Sequence, residues 1–242
     1  MEIVVFGANG PTGRLVVERA GAEGHTVTAV TRHPEAFAVR GPRLRVVEAD
    51  VHDPVAVERA VAGQDAVISA LGVPYGKNPV TVYSAGATHM TQAMTKHGVR
   101  RFVAVTSTVL FGTSAPGENL LFRKVLEPAV MRFMGRTVYD DMRRMEAVVR
   151  DTGLDWTILR PGGLFDTDTV SDYGVGTSRL PGRYTARADL AHELVRQVVD
   201  AGHLRAFVRA FVDVRTTENT PTFLQLIRKE AGGDKRAAGV RD

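Results

Sequence analysis

Three glycines near the start of the chain have the spacing of a phosphate-binding turn. Gly7, Gly10 and Gly13 lie between an apolar run at 3–6 and a helix-forming run at 14–20. Glycine permits a tight turn and a close approach of backbone to a pyrophosphate, and free N–H groups at a helix start attract the phosphates. The stretch therefore predicts a nucleotide site. Because G-x-x-G-x-x-G differs from the usual G-x-G-x-x-G, a glycine turn without ligand is the alternative. The other residues of the predicted site here are Asn9, Pro11 and Thr12.

The end of the second predicted strand, 26–31, indicates which nicotinamide dinucleotide is bound. An acidic residue there holds the ribose 2′-hydroxyl of NAD, whereas a nearby arginine accepts the 2′-phosphate of NADP. The strand is followed by Arg32 and His33, with no acid. We therefore expect NADP(H) rather than NAD(H), with Arg32 as the selecting residue and His33 as a second contact. The alternative is that Arg32 is an exposed loop residue.

Later predicted strands also end in residues suited to a dinucleotide. Asp50 and Val51 follow the strand at 44–49. Asp50 is either a partner of the adenine amino group, with Val51 against the ring, or a local turn former. After the strand at 65–70 a glycine would let backbone approach the ribose, and after the strand at 101–105 hydroxyls would lie beside the nicotinamide. These further candidate residues are Ala70, Leu71, Gly72, Thr106 and Ser107.

Apolar strands alternate with helices along the chain. This predicts an α/β fold, a Rossmann-type doubly wound parallel sheet of about seven strands, whose ligands bind at the strand carboxyl ends. Residues 1–231 form one predicted domain, with substrate-side loops at 109–138 and 164–186, and 232–242 is a predicted flexible tail. The other predicted elements are helices at 54–63, 80–97, 139–150, 189–199 and 220–231 and strands at 156–159 and 207–214.

The segment 120–134 is apolar on one side, basic on the other and interrupted by Pro128. Such a segment is expected either as a lid over a substrate pocket or as a dimer face or core packing. Association with a membrane surface is a third interpretation. The candidate pocket-wall residues are Phe122, Met131, Phe133 and Met134.

Composition excludes several classes of function. The chain has 242 residues, a net charge of +4 and no cysteine, which excludes disulfides, thiolate metal sites and cysteine nucleophiles and favours a cytoplasmic location. Its basic residues are scattered among acids, so we expect no nucleic-acid partner. No apolar run is long enough to span a membrane, and residues 1–20 indicate a strand and helix rather than a signal peptide. His89 and His97 have no partners spaced for a metal pair, so no metal site is expected.

Several motifs of this chain recur together in one group of proteins. They are the turn 7–13, the run 62–68, Leu71-Gly72, Thr106-Ser107 and the run 153–162. Through them the chain resembles the NAD(P)H-binding branch of the atypical, extended-like short-chain dehydrogenase/reductases. Within that branch it is most similar to the flavin reductase/biliverdin reductase B-type proteins and to the NmrA-like proteins. The resemblance extends over about residues 1–200 and bears on fold and cofactor more than on substrate.

The resemblance implies NADP(H) on the glycine turn and adds Pro161 and Gly162 to the nicotinamide site. Active short-chain dehydrogenases also use a Tyr-x-x-x-Lys pair, in which lysine lowers the tyrosine pKa for proton transfer. Here Tyr139 is followed by Arg143 at the lysine spacing, and an alignment to better-known members puts Met142 there instead. The chain therefore departs from the family pattern at this pair. The predicted catalytic residues are Ser107 and Tyr139.

Three functions are compatible with these features. The first is an NADPH-dependent oxidoreductase that passes a hydride by proximity to a small, flat acceptor such as a flavin or quinone. The second is a non-catalytic NADP(H) sensor of NmrA type that binds a protein partner. The third is a sugar-nucleotide epimerase or dehydratase, which usually needs a larger substrate domain than 164–242 and an intact Tyr–Lys pair. A homodimer is a further expectation.

Overall fold

The computed structural model describes residues 1–76, 78–111, 135–178 and 184–212. Three predictions lie outside the described residues. They are the lid at 120–134 with its four wall residues, the helix at 220–231 and the tail at 232–242. The two predicted substrate-side loops are described in part.

Seven parallel strands form the central sheet, which confirms the predicted Rossmann-type fold. They are β1 Glu2–Phe6, β2 Thr26–Thr31, β3 Leu44–Glu48, β4 Ala66–Ser69, β5 Arg101–Val105, β6 Asp155–Leu159 and, after three short strands, β10 Ala206–Val212. Their order across the sheet is β3-β2-β1-β4-β5-β6-β10. The order reverses between β1 and β4, so the crevice typical of such sheets opens at the carboxyl ends of these two strands.

Five helices cover the two faces of the sheet over the described residues. They are α1 Pro11–Ala22, α2 Pro54–Val61, α3 Val82–His97, α4 Arg136–Arg150 and α5 Arg187–Val199. One face packs against α1 and α5, and the other against α2, α3 and α4, in two apolar clusters. Because both faces are covered, the apolar residues 3–6 of β1 and 66–68 of β4 are buried, as their sequences predict.

Helix ends follow the signals in the sequence. The Asp53 carboxylate accepts hydrogen bonds from the backbone N–H groups of Val55 and Ala56 at 2.9 and 3.1 Å, and thereby caps α2. Gly98 ends α3 in the left-handed conformation, with φ +70°. The start of α3 has a cap that local sequence does not show. Fully buried Asp141 of α4 accepts from the backbone N–H of Tyr83 at 2.9 Å and so joins the two helices.

The prediction of one long irregular loop at 164–186 is wrong in part. The segment contains β7 Gly163–Phe165, β8 Tyr173–Gly176 and β9 Tyr184–Ala186. Both β8 and β9 pair antiparallel with β10, and β7 pairs with β9. Buried Asp189 of α5 also holds this segment, since it accepts from the backbone N–H and the hydroxyl of Ser171, each at 2.7 Å. These contacts come from distant sequence, so the Asp, Thr, Gly and Ser content that predicts a loop is overridden.

Candidate functional site

The glycine turn after β1 is packed so tightly that side chains would not fit. Gly7 has φ +76°, and a Cβ there would lie 2.6 Å from the Ala70 carbonyl oxygen at the end of β4. A Cβ on Gly13 would meet the Gly7 carbonyl oxygen. Both contacts are with backbone, which cannot move aside as a flexible side chain can. The turn therefore joins β1, β4 and α1 in one rigid unit at the point where the strand order reverses.

The start of α1 presents backbone donors to this crevice. Gly10 is the N-cap and supplies no side-chain cap, and Pro11 has no N–H. Among the described residues the N–H groups of Thr12 and Gly13 have no acceptor. The Asn9 amide oxygen accepts from the Arg14 guanidinium at 3.0 and 2.6 Å, so what Asn9 offers a ligand is its NH₂ group. Free donors at a helix start suit a phosphate group.

Arg32 lies at the carboxyl end of β2, as predicted, with its side chain exposed and without a carboxylate bonded to it among the described residues. The predicted second contact, His33, is also exposed, and its Nδ1 atom lies 3.6 Å from Glu35 Oε1. Arg32 adds to the positive potential at Asp50. The pKa of Asp50 is lowered chiefly by the hydrogen bond from the His52 backbone N–H; burial opposes this, and the His52 ring and the Arg32 charge add smaller lowering effects. An arginine in this state is available to a ligand phosphate.

Asp50 has features of both interpretations of its role. Its Oδ1 accepts from the backbone N–H of His52 at 2.9 Å, which is the expected local turn. The same oxygen lies 2.9 Å from His52 Nδ1, and Nε2 of that ring lies 3.0 Å from the Thr81 hydroxyl. Oδ2 has no hydrogen bond within the part of the chain that the structure describes, and so remains an acceptor. Asp50 is thus a turn former with one oxygen left for a ligand such as an adenine amino group.

An apolar wall continues from Asp50 towards β4. Val51 is buried, and its carbonyl oxygen lies 2.7 Å from the Nδ1 atom of His89, which agrees with the structural role expected for this histidine. A Cβ on Gly86 of α3 would lie 3.0 Å from Leu71 Cδ1 and 3.4 Å from Val51 Cβ. A Cβ on Gly72 would meet nothing within 4 Å. The wall is therefore close-packed behind Val51 and Leu71, with open space beside Gly72.

At the other end of the crevice, Thr106 differs from its expected role. Its hydroxyl is buried and donates to Glu146 Oε1 of α4 at 2.7 Å, and its backbone N–H donates to the Leu159 carbonyl at 2.9 Å, so neither group is left for a cofactor. Arg160 binds both oxygens of the same carboxylate, at 3.0 and 2.8 Å. Burial lowers the pKa of Arg160, and the bonds to Glu146 oppose this. The buried pair anchors α4 to the ends of β5 and β6.

Hydrogen bonds from backbone N–H groups hold the residues that follow β5 and β6. The Thr108 N–H donates to the Pro161 carbonyl at 3.0 Å, and the Gly162 N–H donates to the Thr185 hydroxyl at 3.1 Å. Ser107 is half-buried, and its hydroxyl oxygen accepts from the Val109 N–H at 3.3 Å. The Ser107 hydroxyl proton has no acceptor within the part of the chain that the structure describes, so it can donate to a ligand.

Tyr139 lies on the first turn of α4, and only 6% of it is exposed. Its hydroxyl is 2.7 Å from the hydroxyl of Tyr75. Arg143, at the family's lysine spacing, is half-exposed and bonds Asp140 at 2.8 Å. Met142 is buried. Because Arg143 is paired on the outer side of α4, the spacing Tyr139–Arg143 does not reproduce the Tyr–Lys pair.

Sequence reasoning missed Tyr75, Gly86, Asp141 and Glu146. Each acts through a residue more than ten positions away, and Tyr75 is separated from Tyr139 by 64 residues. The weak signals were an acid inside an otherwise amphipathic helix, for Glu146, and a glycine in a helix interior, for Gly86. Within the described ranges no group of three or more His, Asp or Glu could hold a metal ion, and no helix is long and apolar enough to cross a membrane.

The parallel sheet, the glycine turn at its switch point and the donors at the start of α1 define a Rossmann-type protein with a candidate nucleotide site. The chain belongs to the NAD(P)H-binding family, whose profile matches residues 7–201.

Similar proteins include enzymes. The chain is 32% identical over 169 residues to a (4-alkanoyl-5-oxo-2,5-dihydrofuran-3-yl)methyl phosphate reductase of Streptomyces griseus, covering 70% of this chain and 50% of that protein. The anaerobillin reductase ChuY of Escherichia coli O157:H7 is 24% identical with a TM-score of 0.68, covering 92% of this chain and 100% of that one. A short-chain dehydrogenase/reductase of Veillonella parvula, solved in complex with NADP, is 16% identical with a TM-score of 0.71, covering 91% and 99%. The two solved structures show the shared fold. The chain spans about half the length of the curated relatives it matches.

Proposed function

We propose that the protein is an NADPH-dependent oxidoreductase that transfers a hydride to a small, flat acceptor such as a flavin or quinone. The observation that carries the proposal is the exposed Arg32 beside a glycine turn whose helix N–H groups are free. A reductase among the sequence relatives supports the same class of reaction.

The chemistry of the residues present suits a bound dinucleotide. The N–H groups of Thr12 and Gly13 would bind the pyrophosphate, and Arg32 would bind the 2′-phosphate. Asp50 Oδ2 would accept from adenine, and the open space beside Gly72 would admit the ribose. Ser107 would donate its hydroxyl proton to the carboxamide or to the acceptor. Bound NADPH supplies the hydride, and the protein supplies position and the exclusion of water.

Anaerobic NADPH consumption with FMN, riboflavin and menadione tests this proposal. We expect acceptor-dependent oxidation by the wild-type protein. Gly13→Ala should abolish it because the new Cβ meets the Gly7 carbonyl oxygen. The matched control is Gly21→Ala on the same helix, where a Cβ meets nothing within 4 Å. Equal rates in the two variants, or no consumption by a wild type that binds NADPH, would contradict the proposal.

One observation favours a second candidate, the non-catalytic NADP(H) sensor. Arg143 pairs with Asp140 rather than lying beside the Tyr139 hydroxyl, so the family's usual means of activating the tyrosine is missing from this helix. A wild-type protein that binds NADPH tightly but consumes none with any acceptor would move this candidate ahead. The homodimer, the protein partner and the cytoplasmic location stay predictions.

A further inference from the structure

Two tyrosine hydroxyls form a pair that links a buried position to the protein surface. Tyr75 and Tyr139 are hydrogen-bonded at 2.7 Å, with ring centroids 5.9 Å apart and an interplanar angle of 49°. Tyr139 is 6% exposed, whereas Tyr75 is 39% exposed. The pair therefore spans from the apolar cluster that contains Leu71 and Val109 to the solvent.

The loop that carries Tyr75 is held on both sides. The Val73 N–H donates to the buried Tyr83 hydroxyl at 3.3 Å, and the Thr137 hydroxyl donates to the Gly76 carbonyl at 3.2 Å. The Tyr139 ring lies against Gly135, where a Cβ would overlap it. Because the loop backbone on both sides of Tyr75 and the Tyr139 ring are held, the bond between the hydroxyls is supported by the fold.

A buried phenol that gives away its proton needs a route by which the proton returns. Water does not reach a side chain as enclosed as Tyr139 freely, and a buried phenolate is costly. A second phenol at 2.7 Å can donate to the phenolate and lower that cost, and it can itself exchange with solvent. Tyr75 has the exposure and the hydrogen bond that this role needs.

We propose that Tyr75 is a proton-relay residue that acts through Tyr139, an inference that rests on the proposed reductase function. Tyr139 donates its hydroxyl proton to the acceptor as the acceptor receives the hydride of NADPH. Tyr75 then passes its own hydroxyl proton to the Tyr139 oxygen and takes a proton from water. The sum is NADPH plus one proton plus oxidised acceptor giving NADP⁺ and dihydro-acceptor, with the proton drawn from solvent.

The test compares Tyr75→Phe, Tyr139→Phe and the double variant in anaerobic steady-state kinetics with NADPH and menadione. Each substitution keeps the ring and removes one hydroxyl. We expect kcat to fall at least about tenfold in each single variant, with the KM for NADPH unchanged. Because the two hydroxyls act in series, the double variant should be no slower than Tyr139→Phe.

The pH profile separates a relay from a structural role. A Tyr75 hydroxyl that donates to the Tyr139 phenolate would stabilise it, so Tyr75→Phe should move the alkaline fall of kcat to higher pH. Tyr83→Phe is the control, because it removes a hydroxyl that holds the same loop without touching the pair. Its profile should keep the wild-type shape.

The outcomes are distinguishable. If menadione is reduced and Tyr75→Phe matches the wild type in kcat and pH profile, or if the two single effects multiply in the double variant, the relay is wrong and the reductase function stands. If the wild-type protein binds NADPH but reduces none of menadione, FMN and riboflavin, the proposed function fails, and the relay fails with it.

Discussion

The two halves of the candidate site are built in different ways. The adenosine half, which comprises the turn 7–13, Arg32 and Asp50, consists mostly of backbone and of residues that directly follow strands. The acceptor half comprises Tyr75, Ser107 and Tyr139. Its tyrosines meet across 64 residues of sequence, and the adjacent Thr106 meets Glu146 across 40. The comparison teaches that the residues proposed to bind the cofactor are positioned by local sequence, whereas the tyrosines proposed to serve the acceptor are positioned by a long-range contact.

Removing the buried ion pair between Glu146 and Arg160, which supports the acceptor half, should have the largest effect on stability. Glu146→Ala leaves the buried Arg160 guanidinium without its carboxylate, which costs about 3–5 kcal/mol. Urea denaturation measures this loss. The control is Arg143→Ala, which removes an exposed ion pair from the same helix and should cost less than about 1 kcal/mol. Similar losses in the two variants would mean that the buried pair does not hold the acceptor half together.

Breaking the adenosine half should affect both stability and binding. Gly13→Ala forces a Cβ against backbone, which we expect to cost about 1–3 kcal/mol of folding free energy. The affinity for NADP⁺ should fall by about tenfold or more, since the turn and the first turn of α1 must separate. Calorimetric titration and thermal unfolding measure the two effects. A variant that binds NADP⁺ as tightly as Gly21→Ala does would contradict the packing argument.

A substitution at Thr106 tests whether its hydroxyl supports the fold or belongs to the cofactor site. Thr106→Val removes a hydroxyl that donates to Glu146 while Arg160 still binds that carboxylate, so stability should fall by about 1 kcal/mol. NADP⁺ affinity should stay at the wild-type value because the hydroxyl faces the protein interior. Thr106→Ser should restore the stability. A loss of NADP⁺ affinity without a loss of stability would return the Thr106 hydroxyl to the cofactor site.

The smallest expected effect is a pH dependence at Asp50. The folded-state pKa of Asp50 is lowered from its ordinary value of 3.8, chiefly by the His52 N–H. The stabilisation is therefore fully present above pH 3.8 and is lost as the pH falls through the lower folded-state pKa. The Asp50→Asn variant should show less acid-induced loss of melting temperature than the wild type below pH 4. Parallel curves for the two proteins would show that Asp50 is not held by these contacts.

Much of the fold was predictable because its signals are local. The apolar runs of β1 and β4, the Asp53-Pro54 start of α2 and Gly98 after α3 all act within a few residues. The strands β7, β8 and β9 were not predictable, because β8 and β9 form by pairing with β10, β7 forms by pairing with β9, and buried Asp189 of α5 holds the segment. Their own composition is typical of a loop.

The candidate site likewise has one part that the sequence predicts and another that it does not. The turn 7–13, Arg32 and Asp50 lie where the sequence predicts them, at strand ends that parallel topology brings to one edge. The direction of the Thr106 hydroxyl, the outward pairing of Arg143 and the partner of Tyr139 depend on how α4 packs against the sheet and α3. No spacing pattern in the sequence predicts that packing.

The affinity of the protein for NADP⁺ and for NAD⁺, measured by calorimetric titration in wild type and Arg32→Ala, tests the central claim most directly. A guanidinium bound to a phosphate contributes charge-assisted hydrogen bonds, so NADP⁺ affinity should fall about 10- to 100-fold in the variant while NAD⁺ affinity stays the same. Arg45→Ala, an exposed arginine on β3, should change neither. Equal losses for the two dinucleotides, or no loss of NADP⁺ affinity, would contradict the assignment of Arg32 and with it the proposal of an NADPH-dependent enzyme.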